Sequence, residues 1–138
     1  MPERRIIGRT EWIELIGLDL GELSAKVDTG AYRSSLHCRK VEEVVVDGRK
    51  VLRVRFQIGR KRPTREFKKY TRTVVRSSNG STEDRYVIQT RIRLGNKRYK
   101  ASFTLSDRSE MKHPVLLGRK FISGKFLVDV SKNHLLTS

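Results

Sequence analysis

Cysteine, aromatic residues and acids are scarce in this sequence, and each scarcity excludes something. Cys38 is the single cysteine, so there is no intrachain disulfide framework, and the chain suits a reducing compartment, the cytoplasm. No uninterrupted apolar run approaches the ~18 residues of a membrane span, so no membrane partner is expected. The opening MPERRIIGRTEW lacks the long apolar stretch and small-residue cleavage site of a secretory signal. There is no HExxH or CxxC pattern for zinc, and no P-loop or GxGxxG for a nucleotide. Aromatic residues make up only 7% of the chain, and no RNP, KH or zinc-finger motif accompanies them.

The scarcity of acids has the widest consequence. Fifteen Asp and Glu face thirty-one Lys and Arg, giving a net charge of +16. Such an excess attracts polyanions: nucleic acid, a ribosome, an anionic surface or an acidic peptide. The 138 residues suit one domain, 1–138, with one core.

What is present reads as strand. Short β-branched runs are broken by Gly, Asn-Gly or Asp-Gly. Strands are expected at Trp12–Ile16 and Leu23–Val27. A hairpin is expected to turn at Asp47-Gly48, between Val44–Val46 and Val51–Phe56. The basic segment 58–72 reads as a loop or exposed extended stretch. A second hairpin turns near Ser78-Asn79-Gly80, and in its return arm Tyr86, Ile88, Thr90, Ile92 and Leu94 share a face. Another turn falls at Gly95-Asn96. An apolar strand at Val115–Leu117 leads into a helical turn over Arg119–Ser123 and a closing strand at Phe126–Val130. The class is mostly β, a small barrel or sandwich.

One stretch carries candidate chemistry: KVDTGAYRSS, Lys26 to Ser35. An alternating strand delivers Asp28 at its end. Gly30 and Ala31 are small enough for a substrate or a second backbone to approach. Asp and Gly also suit an ordinary turn, so the tripeptide alone decides nothing. Far downstream, Leu116-Leu117-Gly118-Arg119 runs two apolar residues into a glycine. The pair of features resembles the retropepsin-like aspartic proteases, in which a hydrophobic-Asp-Thr-Gly-Ala loop is followed by a hydrophobic-hydrophobic-Gly segment. Ile6-Ile7-Gly8-Arg9 fits the second pattern as well, but it precedes Asp28. Five segments in order extend the likeness over almost the whole chain: GRTEWIEL, AKVDTGAYRSSLHC, VRSSNGSTEDRYVIQT, TLSDRSEM and VLLGRKFISGKFLVDVS. Together they resemble the RimK-associated, RimB-like family, also called ATP-dependent zinc proteases.

The resemblance implies a closed retropepsin-like β-barrel with a flap hairpin, and an aspartic-type endopeptidase. Asp28, Thr29 and Gly30 would form the catalytic loop. One Asp-Thr-Gly per chain implies a homodimer that pairs two Asp28 carboxylates. Ala31 and the flap residues Arg76, Ser77, Ser78, Gly80 and Arg85 would bind substrate, a peptide or protein for which the resemblance suggests a glutamate-rich sequence. Ser35, His37, Leu117, Gly118 and Arg119 would support the loop. An Asp that many relatives use to pair with the downstream Arg is Tyr32 here, so Arg119 needs another partner. His37, Cys38, His113 and His134 do not form a convincing zinc set, so no metal or other cofactor is assigned. An ATP link would belong to an associated ATP-grasp ligase. The competing reading is a basic binding module in which residues 60–72, with Phe67 and Tyr70, contact RNA or the ribosome.

Overall fold

A computed structural model describes residues 4–76, 79–107 and 112–136. The strands in chain order are β1 (Arg5–Gly8), β2 (Thr10–Leu15), β3 (Glu22–Val27), β4 (Ser34–His37), β5 (Lys40–Val46), β6 (Arg49–Arg55), β7 (Thr64–Phe67), β8 (Thr71–Arg76), β9 (Thr82–Leu94), β10 (Lys97–Ser106), β11 (Val115–Leu117) and β12 (Phe126–Asp129). A four-residue helix, α1 (Arg119–Ile122), stands between the last two.

Six strands close into a ring in the order β10-β4-β11-β3-β2-β9, with β9 returning to β10. The return is possible because β9 is thirteen residues long. Its last residues pair with β2 and β10, and its first pair with β8. The β8–β9 hairpin therefore projects from the ring, where the flap is expected. Its residues 77 and 78 lie outside the described part of the chain. Inside the ring sit Ile13, Leu15, Ile88, Ile92, Leu94, Phe103 and Leu117, none more than 1% exposed. Full burial of such side chains contributes about 1.5–3 kcal/mol each.

The hairpin at Asp47-Gly48 forms with both residues at positive φ, 51° and 76°, as a two-residue turn between twisted strands requires. The basic stretch 58–72 is more ordered than a loop. Thr64–Phe67 pairs with β6 to form a third sheet, β5-β6-β7. Two further strands were not expected. β1 pairs in parallel with β12, and β4 pairs in parallel with β10.

Two polar contacts lock the sheets together. The Glu11 carboxylate is fully buried and accepts the N–H groups of Gly8 at 2.7 Å, Leu135 at 3.0 Å and Leu136 at 3.0 Å. It ties the C-terminal tail to β2. On the other side, Glu43 accepts the Tyr70 hydroxyl at 2.6 Å and the Tyr86 hydroxyl at 3.1 Å. That contact fixes the base of the projecting hairpin to β5. Donation from Tyr70, then from Tyr86, holds the Glu43 carboxyl below its ordinary 4.5. The bond to Glu43 also pushes the Tyr70 phenol up to about 12.

Two outcomes are expected. Glu11→Ala leaves three N–H groups without their acceptor and should lower stability by roughly 2–3 kcal/mol, read from urea denaturation. The Glu43 clasp has a pH window. A carboxyl lowered in the folded state stabilises above its unfolded value of 4.5, and that stability is lost as pH falls through the folded value. The Tyr70 phenol, raised from 10.0, sets the alkaline limit, since its contribution is lost as pH rises through about 12. Glu43→Gln should therefore be less stable than wild type at neutral pH, with the difference shrinking on acidification; a difference that grew in acid would refute the assignment.

Candidate active site

The site begins with strand order. β11 lies between β3 and β4, parallel to β3 and antiparallel to β4. The connection from β3 to β4, residues 28–33, therefore passes over the end of β11. Val27 closes β3 with its side chain buried, and the next residue, Asp28, emerges half-buried. The Asp28 N–H donates to the Leu117 carbonyl at 2.9 Å. One carboxylate oxygen, Oδ1, accepts the Gly30 N–H at 2.9 Å. A Cβ on Gly30 would stand 3.2 Å from that same oxygen. The loop thus holds the carboxylate in one direction and leaves space on its solvent side.

The downstream segment clamps this loop. The Gly118 N–H donates to Ser34 Oγ at 3.0 Å. The Arg119 and Lys120 N–H groups donate to the carbonyls of Ala31 at 2.8 Å and Tyr32 at 2.9 Å. Arg119 Nη1 donates to the Thr29 carbonyl at 3.0 Å, and its guanidinium lies 5.9 Å from the centre of the Tyr32 ring. This answers the substitution at position 32: the arginine uses a backbone carbonyl and an aromatic face in place of a carboxylate. Gly118 has no room for a side chain, because a Cβ would lie 2.6 Å from the Arg33 carbonyl oxygen.

Asp28, Thr29, Gly30, Ala31, Leu117, Gly118 and Arg119 are thus brought into one cluster. Ser34, whose hydroxyl receives Gly118, was not singled out in the sequence. Its neighbour Ser35 is buried in β4, opposite Leu116 and Thr104. His37 is buried too, with Nδ1 3.6 Å from Asp107 Oδ1. Burial, then Asp107, pushes the adjacent Cys38 thiol up to about 12, which makes it an inert thiol. Arg76, Gly80 and Arg85 lie on the projecting hairpin. Arg76 is exposed, Gly80 is in the turn, and Arg85 Nη2 approaches Glu83 Oε2 at 3.4 Å. Ser77 and Ser78 lie outside the described residues.

Among the described residues, no three His, Cys, Asp or Glu side chains gather as a metal ion would need. His113 Nδ1 is 2.9 Å from Ser24 Oγ, and His134 stacks on Trp12 at 4.7 Å. Both histidines line an open pocket of about 730 Å³ that also includes Lys26 and Val27, the residues just before Asp28. Sequence reasoning missed this pocket. The one available signal was Lys26, a cation two residues before the strand-end carboxylate.

Comparison with known proteins places the chain among relatives. Residues 6–137 match the family described as RimB-like, retropepsin-like aspartic endopeptidase RimB. A Shewanella pealeana protein named "Probable alpha-L-glutamate ligase" is 36% identical over 135 residues, 95% of this chain and 30% of that protein. One of the same name from Parasynechococcus marenigrum is 33% identical over 145 residues, 99% of this chain and 30% of its own length. The chain thus spans about 30% of the length of the curated relatives it matches. A crystal structure of a Legionella pneumophila protein with unknown function (DUF785) superposes with a TM-score of 0.81 at 29% identity, covering 98% of this chain and all of that one.

Gly118→Ala tests the clamp. The added methyl must displace the 32–33 backbone, so a stability loss of about 1–3 kcal/mol is expected. Thermal denaturation measures it; an unchanged midpoint would mean that the close approach is not a constraint.

Proposed function

The chain belongs to the RimB-like family of retropepsin-like aspartic endopeptidases, and from that premise we propose that it hydrolyses amide bonds with two Asp28 carboxylates, one from each of two copies. The carrying observation is the way Asp28 is held. Its backbone and Oδ1 are fixed by Leu117 and Gly30, yet the carboxylate is half open at a loop whose Thr29, Gly30 and Tyr32 are exposed. Such a loop suits one half of a site that a second copy completes.

The chemistry then follows from proximity. Two carboxylates a few ångströms apart cannot both ionise cheaply, so they share one proton. The ionised Asp28 takes a proton from water as the water oxygen bonds to the substrate carbonyl carbon. The protonated Asp28 of the other copy gives its proton to the carbonyl oxygen. Collapse of the tetrahedral intermediate breaks the C–N bond: the departing amine takes a proton from the first carboxyl, and the second carboxylate takes back a hydroxyl proton as the carbonyl re-forms. Neither metal nor ATP enters these steps.

Two features favour an acidic substrate. The chain carries +16, which steers polyanions towards it. Its curated relatives are named as alpha-L-glutamate ligases, so a glutamate-extended protein is the fitting substrate and an ATP-grasp ligase the fitting associate, in the cytoplasm. The RNA-binding reading has less support, because its two aromatic rings, both half-buried, already pack against other rings of the protein. Phe67 packs edge-on against Phe56 at 6.5 Å, and Tyr70 against Tyr86 at 5.9 Å.

Wild type and Asp28→Asn, incubated with a mixed peptide library and a glutamate-extended peptide, should differ by at least ~10²-fold in cleavage. Mass spectrometry identifies the products, and sedimentation should find the active species dimeric. Equal cleavage by both proteins would remove Asp28 from the mechanism.

A further inference from the structure

We propose that the pocket beside Asp28, walled by Arg9, Lys26, Lys112, His113, His134 and Trp12, is the subsite for the carboxylate side chain of a glutamyl residue flanking the scissile bond. The proposal rests on the peptidase reading of Asp28 and adds to it the residues that select the substrate.

Position is the first argument. Lys26 and Val27 immediately precede Asp28, so the pocket wall runs into the catalytic loop. Thr10 is the register partner of Lys26, and the Val27 N–H donates to the Arg9 carbonyl at 2.8 Å, which brings Arg9 to the same rim.

Charge is the second. Among the described residues, no Asp or Glu lines this pocket. Among the described residues, Arg9, Lys26 and Lys112 take part in no ion pair. Cations gathered without a counter-charge are a standing invitation to an anion, and ammonium or guanidinium groups bind carboxylates by charge-assisted hydrogen bonds. A basic pocket alone would mean little in so basic a chain. A second one of about 410 Å³, containing Arg91, Lys100, Lys120 and Lys125, has the same sign. The second meets the loop at its far end, through Ser34 and Lys120, whereas Lys26 and Val27 of the first lead directly into Asp28.

Construction is the third. Arg9 Nε and Thr10 Oγ1 both donate to Asn133 Oδ1, at 2.8 Å and 2.9 Å. The Trp12 and His134 rings stack 4.7 Å apart at 16°. His134 Nδ1 is buried without a hydrogen-bond partner. The tail that supplies Asn133 and His134 is held by the buried Glu11. The wall formed by Arg9, Thr10, Trp12, Asn133 and His134 is therefore held in place before substrate arrives, as selective binding requires.

Trp12 is the only tryptophan, 43% exposed on the pocket wall, so its fluorescence reports occupancy. The experiment uses full-length Asp28→Asn protein, titrated with tetraglutamate, tetraglutamine and a short ribo-oligonucleotide at about 0.15 M salt. Tetraglutamate should give a saturable change, with tetraglutamine at least about tenfold weaker. Adding Lys26→Met or Lys112→Met should weaken tetraglutamate by about tenfold, whereas Lys100→Met in the second pocket should change it less than about twofold. Equal binding of the two peptides would overturn the proposal, as would equal damage from Lys100→Met. So would a Lys26-dependent signal from the oligonucleotide and none from tetraglutamate. Cleavage separates the two levels. Wild type that cuts peptides without preferring glutamate defeats the subsite and leaves the peptidase. Lys26-dependent tetraglutamate binding in a protein that cuts nothing upholds the carboxylate pocket and defeats the peptidase.

Discussion

The hydrogen bond from the Asp28 N–H to the Leu117 carbonyl, 2.9 Å long, joins two chain segments that are almost ninety positions apart in sequence. It exists because β11, only three residues long, is inserted between β3 and β4. Once β11 is there, the chain leaving it has to pass beneath the loop that connects its two neighbours. The carbonyls of Thr29, Ala31 and Tyr32 would otherwise need water. They instead receive N–H groups from Arg119 and Lys120. A loop of the kind that is ordinarily mobile is thereby tied by hydrogen bonds to the segment leaving the ring. This restraint is what a carboxylate needs if it is to meet a symmetry-related partner at hydrogen-bonding distance.

The same constraint explains the composition of the clamp. Gly118 passes so close to the 32–33 backbone that no Cβ fits. Ser34 supplies a hydroxyl where the first residue of β4 faces the Gly118 N–H. Arg119 is long enough to reach back over the loop, and its guanidinium offers donors in a plane that can also lie against an aromatic ring. Tyr32 fits that arrangement, and no carboxylate is needed to hold the arginine within one chain. These side chains follow from a single topological fact, a strand inserted between two others.

Much of the architecture was legible because it rests on local signals. Asp47-Gly48 specifies its turn through backbone conformations that few residues adopt. The return arm of the projecting hairpin shows its alternation directly, and Ile88, Ile92 and Leu94 are buried. The strand Val115–Leu117 and the turn of helix after it were visible as an apolar run ending in glycine. What escaped was determined by distant partners. β1 is Arg-Ile-Ile-Gly and pairs with residues 126–129. β4 is buried at all four positions, so its Ser-Ser-Leu-His carries no alternation. β7 lies inside a charged stretch that reads equally as loop or as exposed extended chain, and only its pairing with β6 decides for a strand. At the site, the Asp28 loop and the Gly118 segment were legible as motifs. The hydroxyl of Ser34 and the new partners of Arg119 needed coordinates.

The pocket beside Asp28 was the least legible feature, since four separate segments build it: 9–12, 24–27, 112–113 and 133–134. Its assembly bears on how a protein of charge +16 could be selective at all. At physiological salt, an exposed charge acts over roughly 8 Å. Of the thirty-one basic residues, only those within about that distance of Asp28 can influence which bond is presented to it. The others can raise the local concentration of any polyanion, RNA included, and so favour encounter without choosing an outcome. Choice requires cations within contact distance of the reacting group, in walls that do not rearrange. Lys26 lies on the strand that leads into Asp28, and Arg9 is joined to that strand by the Val27 N–H at its carbonyl, so on the proposed reading these are the cations that choose. Global charge and local pocket thus do different work, and only the local one is tied to the strand order that positions the carboxylate.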